Sequence, residues 1–190
     1  VDPAGGVLIV DDDESVRRAL SELLEEDGFR VVEAENGPAG LRLAREVVPD
    51  LVLLDIMMPG MSGVELCRQL RDDAVLAEVP IIMITGMGDH ESRIECIEAG
   101  ADEFLTKPVE ESELRARVKT ALRLNRFRRL LAQRAQLEWI VDEADDGFLL
   151  LDDEGRVSYA NGRARRLLGL GDGAPSAEPD KRIGLVDAAS

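Results

Sequence analysis

The stretch LVLLDIMMPGMSG, residues 51–63, decides the fold. Its first four residues, Leu51 to Leu54, are uninterruptedly apolar, the pattern of a central strand covered on both faces. The run ends on an acid, Asp55. A second run of the same kind, Ile81 to Ile84, ends on Thr85. Three more β-type runs lie around these two, at Val7–Val10, Arg30–Ala34 and Glu103–Thr106.

Helical spacing fills the gaps between the runs. Val16, Leu20, Leu23 and Leu24 keep one face of a first helix apolar. Leu41, Ala44 and Val48 do so in a second, and Val64, Cys67 and Leu70 in a third. Ile94 and Ile97 mark a weaker fourth, with Gly100 placed to end it in a left-handed backbone. Leu114, Val118 and Leu122 mark a fifth. Strands alternating with helices predict an α/β fold, a doubly wound five-stranded parallel sheet with helices on both faces. Such sheets carry their sites at the carboxyl ends of the strands, near a topological switch point. Asp11, Asp55, Thr85 and Lys107 each stand at or just beyond the end of a predicted strand.

Composition sets bounds on function. With 190 residues the chain is longer than one small domain needs and short for two. Only 3% of the residues are aromatic, so the core must be built from Leu, Val, Ile, Ala and Met. A formal charge of −16 repels a polyanion over most of the surface, which argues against nucleic-acid binding. The start has no basic stretch followed by a long apolar run, and the apolar runs fall far short of the roughly 20 residues that span a bilayer. A cytoplasmic location without membrane association is expected. Cys67 and Cys96 lack metal-ligand or redox spacing and read as two small buried hydrophobes.

The predicted strand ends collect a particular chemistry. Asp11, Asp12 and Asp13 directly follow the first strand, and Asp13 also suits a helix cap. Carboxylates brought together this way repel; two unit charges about 4 Å apart cost about 4 kcal/mol at an effective dielectric of 20. A hard divalent ion with oxygen ligands removes that cost, and Mg²⁺ is the natural choice. Phosphoryl transfer to a carboxylate needs a nucleophile, neutralisation of the equatorial oxygens and positioning. Asp55 serves as nucleophile, Lys107 as a point charge and Thr85 as a hydroxyl donor. Pro108 after Lys107 fixes the backbone there, with a cis bond as one option.

These motifs carry a resemblance. VLIVDDD (7–13), LLDIMMPGMSG (53–63), ITG (84–86) and LTKP (105–108) resemble the receiver domain of two-component response regulators, the CheY-like, flavodoxin-like fold. The resemblance covers residues 6–122 and implies a receiver over residues 1–122. It implies that Asp55 is phosphorylated from the phosphohistidine of a sensor histidine kinase or phosphotransfer protein. It implies Mg²⁺ held by Asp12, Asp55 and the backbone carbonyl of Met57, with Asp11 reaching the ion through water. Thr85 and Lys107 would contact the phosphoryl group, and Phe104 would stand at the aromatic switch position, packing inward when Thr85 is drawn toward the phosphate. The chain would then be a phosphoacceptor rather than an enzyme with turnover. Met57 and Met87 flank the path of attacking water, and neither side chain orients a water, so slow self-dephosphorylation is expected.

Beyond the receiver, no Gly or Pro interrupts the chain from Val109 to Gly147. Leu124, Phe127, Leu130, Leu131, Leu137, Ile140 and Val141 continue an apolar strip, with Arg134 as its flaw. A helical linker over residues 123–143 is predicted, and a parallel homodimer through that strip. Turn signals at residues 145–147 and 152–155 bracket Phe148–Leu151 and precede Val157–Ala160, a hairpin pattern. A basic helix, Arg163–Leu168, ends at Gly169, and residues 171–180 read as loop. DGFLLLD (146–152), GRVSYAN (155–161) and ARRLLG (164–169) resemble the beginning of a PAS sensor domain, assigned to residues 144–190. The resemblance stops short of the strands that complete such a domain and its pocket, and it assigns no ligand.

Two other readings are weaker. Phosphatases of the haloacid dehalogenase type place the nucleophile and a second acid two residues apart on the first strand, whereas here the first-strand acids are consecutive and Asp55 has Met57 two residues on. A DNA-binding regulator would use the eight basic residues between Arg115 and Arg134, but no helix-turn-helix or zinc pattern follows them.

Overall fold

The computed structural model describes residues 5–86 and 90–169. Met87 and the loop expected over residues 171–180 lie outside the described residues. The chain divides into two compact units, Val1–Arg128 and Arg129–Ser190.

In the first unit, strands β1 (Gly6–Val10), β2 (Arg30–Ala34), β3 (Leu51–Asp55), β4 (Ile81–Thr85) and β5 (Glu103–Thr106) alternate with helices α1 (Glu14–Glu26), α2 (Gly37–Val47), α3 (Gly63–Arg71) and α4 (His90–Glu98). Helix α5 (Glu111–Asp142) follows. The sheet is parallel throughout and runs β2-β1-β3-β4-β5. The order reverses between β1 and β3, which leaves a crevice at their carboxyl ends.

Side chains alternate across the sheet, so each strand feeds two cores. Leu8, Val10, Val52, Leu54, Ile81 and Met83 join one, with Leu66, Cys67 and Leu70 of α3. Val7, Ile9, Leu51, Leu53, Ile82 and Ile84 join the other, with Leu20 and Leu24 of α1 and Leu114 and Val118 of α5. Every residue of β3 and β4 is buried, as the unbroken apolar runs predict.

Local chemistry fixes the helix starts. Asp13 caps α1, its carboxylate accepting from the amides of Ser15 and Val16. Asn36 caps α2 through the Ala39 amide. Ser62 and Glu65 form a reciprocal capping box at α3. Asn125, buried on α5, donates to the Asp50 carbonyl at 2.8 Å and ties that helix to the start of β3.

Two expected helix faces need correction. Val48 does not continue the apolar face of α2; it caps the helix in a left-handed conformation (φ 43°) and is exposed. In α4 the expected apolar pair, Ile94 and Ile97, is exposed, while Cys96 and, just beyond the helix, Ala99 are buried. The small residues face the core because α4 packs close to α3, where the Cys67 thiol donates to the Ala99 carbonyl at 3.3 Å.

The second unit holds the end of α5, an antiparallel hairpin of β6 (Leu149–Leu151) and β7 (Val157–Ala160), and α6 (Gly162–Leu168). Asn161 organises it. Its side-chain amide donates to the carbonyls of Val141 at 2.7 Å and Asp146 at 2.9 Å. Its side-chain oxygen accepts from the amides of Phe148 and Ala164, both at 2.9 Å, and so caps α6. Gly169 ends that helix with a φ of 67°.

Candidate functional site

The site lies at the carboxyl ends of β1, β3, β4 and β5. Asp55 is the last residue of β3 and Thr85 the last of β4; both are buried. Asp11, fully buried, follows β1, and its side chain accepts from the Asp13 amide at 2.8 Å, which turns the chain into α1. Asp12 between them is exposed. One carboxylate oxygen from each of Asp11, Asp12 and Asp55 can be chosen so that all lie within 4.8 Å of one another.

Lys107, just past β5, reaches back over this group. Its Nζ lies 3.0 Å from Asp11 Oδ2 and 3.0 Å from Asp55 Oδ1. The Lys107–Pro108 peptide is cis. Burial pushes the Asp55 carboxyl above the usual carboxylate range; the hydrogen bond from Lys107 opposes this, while the neighbouring charges of Asp11 and Asp12 add to it. For Lys107, burial acts to lower the pKa, but hydrogen bonds and charge from Asp55 and Asp11 together outweigh it and raise the value. Thus a single ammonium stands among three carboxylates, and the donor set is entirely hard oxygen. Such a set fits Mg²⁺, which adds the missing positive charge.

The remaining expected residues take different places. The Thr85 hydroxyl donates to the Gly86 carbonyl at 3.1 Å. Met57 follows β3 with its side chain largely exposed. Phe104, on edge strand β5 opposite Met83, is partly buried and packs against the core shared with α3.

Two supporting residues escape a reading by motif alone. Gly63 sits where an added Cβ would be 2.1 Å from the Asp55 carbonyl oxygen, so only glycine lets α3 start this close to the acid. Arg17 donates to the Asp11 carbonyl at 2.8 Å and pairs with Glu33 at 3.3 Å, bracing the acidic turn from α1.

A comparison of the sequence with known families matches the response regulator receiver domain over residues 7–119. The chain belongs to the response regulator receiver family. A PAS domain match covers residues 135–188, which include the hairpin and α6. Curated relatives agree over the receiver. The phosphate regulon transcriptional regulatory protein PhoB of Pseudomonas aeruginosa is 43% identical over 117 residues, spanning 62% of this chain and 51% of PhoB. The response regulator PleD of Caulobacter vibrioides is 39% identical over 132 residues, 70% of this chain and 28% of PleD. The chain therefore spans about half the length of one relative and under a third of the other. Among solved structures, the chemotaxis protein CheY4 of Vibrio cholerae is similar with a TM-score of 0.60 and 30% identity, over 62% of this chain and 98% of CheY4. The receiver domain of a signal transduction histidine kinase from Syntrophus aciditrophicus is similar with a TM-score of 0.60 and 36% identity, over 63% of this chain and 90% of that one. No helix among the described residues is long and apolar enough to cross a membrane.

Proposed function

We propose that Asp55 accepts a phosphoryl group from the phosphohistidine of a sensor histidine kinase or phosphotransfer protein. The observation that carries this reading is the Lys107 ammonium held 3.0 Å from both Asp11 and Asp55, beside Asp12, at the strand ends. A carboxylate oxygen of Asp55 attacks phosphorus, the phosphorus–nitrogen bond breaks, and the leaving imidazole keeps the electron pair. Lys107 and the Thr85 hydroxyl hold the equatorial oxygens. Asp12, Asp55 and the Met57 carbonyl would hold Mg²⁺, with Asp11 acting through water, and the ion supplies charge neutralisation when bound.

Phosphorylation adds about −1.5 to −2 charge at the end of β3, drawing Thr85 toward the new group and Phe104 inward behind it. We assign residues 1–122 to the receiver, 123–143 to a helical linker and 144–190 to a PAS-like output segment that receives the change along α5. The exposed strip on α5 supports a homodimer through the linker. The acidic surface supports a cytoplasmic protein that binds neither nucleic acid nor membrane. Its role is that of a phosphoacceptor, not of an enzyme with turnover.

The test is intact mass after incubation with acetyl phosphate and Mg²⁺. The wild-type chain gains one phosphoryl group and Asp55→Asn gains none. A full gain in Asp55→Asn contradicts the assignment.

A further inference from the structure

Asp12 is the acid of the site that the fold holds least. Asp11 and Asp55 are buried, and Lys107 pairs with both. Asp12 is exposed, and no described residue hydrogen-bonds or ion-pairs with its carboxylate. Where that carboxylate points therefore depends on the backbone, on the two peptide planes that meet at the Asp12 Cα. Both planes are held. The one after Asp12 is held at the Asp13 amide, which donates to Asp11 Oδ1 at 2.8 Å. The one before it is held at the Asp11 carbonyl, which accepts from Arg17 Nη1 at 2.8 Å.

Arg17 sits where an arginine is not at ease. It is the fourth residue of α1, near the positive end of the helix, where a cation is disfavoured. Its side chain is only 12% exposed, against 68% for Arg18 beside it. A charge drawn in this far needs a partner, and Glu33 of β2 supplies one, 3.3 Å from Nε. Strand β2 is itself fixed against β1, with Glu33 opposite Ile9 and Ala34 opposite Val10, and the Asp11 amide donates to the Ala34 carbonyl at 3.2 Å. One edge of the guanidinium is thus held by the sheet, while the other holds the peptide that leads into Asp12. A planar fork suits this task, and the point charge of a lysine does not.

We propose that Arg17, set by Glu33, is a positioning residue for the divalent cation, aiming the Asp12 carboxylate through the Asp11 carbonyl. The inference rests on Asp12 being a direct ligand, as proposed above. Charge and position pull in opposite directions here. As a charge, a guanidinium beside a cation site repels the cation and weakens binding. As a brace it strengthens binding, since residues that orient a ligand are commonly worth about ten-fold or more in metal affinity. The sign of the change on removing Arg17 separates the two roles.

Titration calorimetry of magnesium chloride into the full chain, with no phosphodonor present, reads the affinity, and circular dichroism checks the fold. Arg17→Met keeps the apolar stem, removes the fork and weakens Mg²⁺ binding about ten-fold. Glu33→Ala leaves Arg17 without its outer hold and weakens binding in the same direction, which also covers an Arg17→Met chain that does not fold. Glu33→Gln keeps an oxygen for Nε and restores the affinity lost in Glu33→Ala. In labelling by acetyl phosphate, Arg17→Met needs about ten-fold more Mg²⁺ for half its maximal rate, and that maximal rate stays near the wild-type value. Affinity that is unchanged or tighter in the folded Arg17→Met and Glu33→Ala chains overturns the proposal. Asp12→Ala tests the reading beneath it. Wild-type affinity in that variant overturns both the ligand and its brace; lost affinity there, with none lost in the Arg17 and Glu33 variants, overturns the brace alone.

Discussion

Leucine meets opposite fates in the two units. Leu51, Leu53 and Leu54 of β3 are fully buried, because helices cover both faces of a five-stranded sheet. Leu150 and Leu151 of β6 are more than half exposed, in a hairpin of two strands. A two-stranded sheet has too little surface to bury its own apolar residues, and three or more strands or a covering helix are needed for independent stability. The receiver is thus a finished fold that positions a charged site. The second unit keeps apolar side chains turned outward.

Core truncation should expose that difference most strongly. Leu54→Ala should cost about 2–5 kcal/mol, as for other fully buried leucines, and Leu150→Ala should stay within about 0.5 kcal/mol. Urea unfolding followed by far-ultraviolet circular dichroism measures both. A similar cost at the two positions would mean that the hairpin is packed as tightly as the receiver.

The next effect belongs to the site. Mg²⁺ bound to the folded state should stabilise the receiver by about 2.7 kcal/mol at a hundred times its dissociation constant. Asp12→Ala should remove most of that stabilisation in thermal unfolding, whereas Asp13→Ala should keep it and lose only about 1 kcal/mol of helix cap. Equal loss of the Mg²⁺ response in both would move the direct ligand away from Asp12. The smallest effect is expected at α4. Ile97→Gln should change stability by no more than about 0.5 kcal/mol because Ile97 is exposed, and a cost of several kcal/mol would restore it to the core.

Much of the receiver was legible because its signals are local. Unbroken apolar runs marked β3 and β4, and acids, a threonine and a lysine at strand ends marked the crevice before any contact was known. Segment β2, the short helices and the hairpin followed from spacing and turn residues. The face of α4 was not legible, because its periodicity offered isoleucines and the close packing at Cys67 and Ala99 admits only small side chains. Gly63 and Arg17 were hidden for another reason. Their work is a close approach to the Asp55 carbonyl and a bond to the Asp11 carbonyl, and backbone atoms leave no mark in a sequence. The role of Asn161 escaped likewise: four hydrogen bonds to backbone groups set its importance, while in the sequence it is only the last residue of the GRVSYAN stretch.

The central claim is that the phosphoryl chemistry resides wholly in the first unit and ends on Asp55. Intact mass of a chain truncated after Arg128, incubated with acetyl phosphate and Mg²⁺, tests it most directly. The account predicts a gain of one phosphoryl group, at the rate of the full chain, that Asp55→Asn abolishes. A folded truncated chain that takes up no phosphoryl group, or one whose Asp55→Asn variant takes it up undiminished, would contradict it.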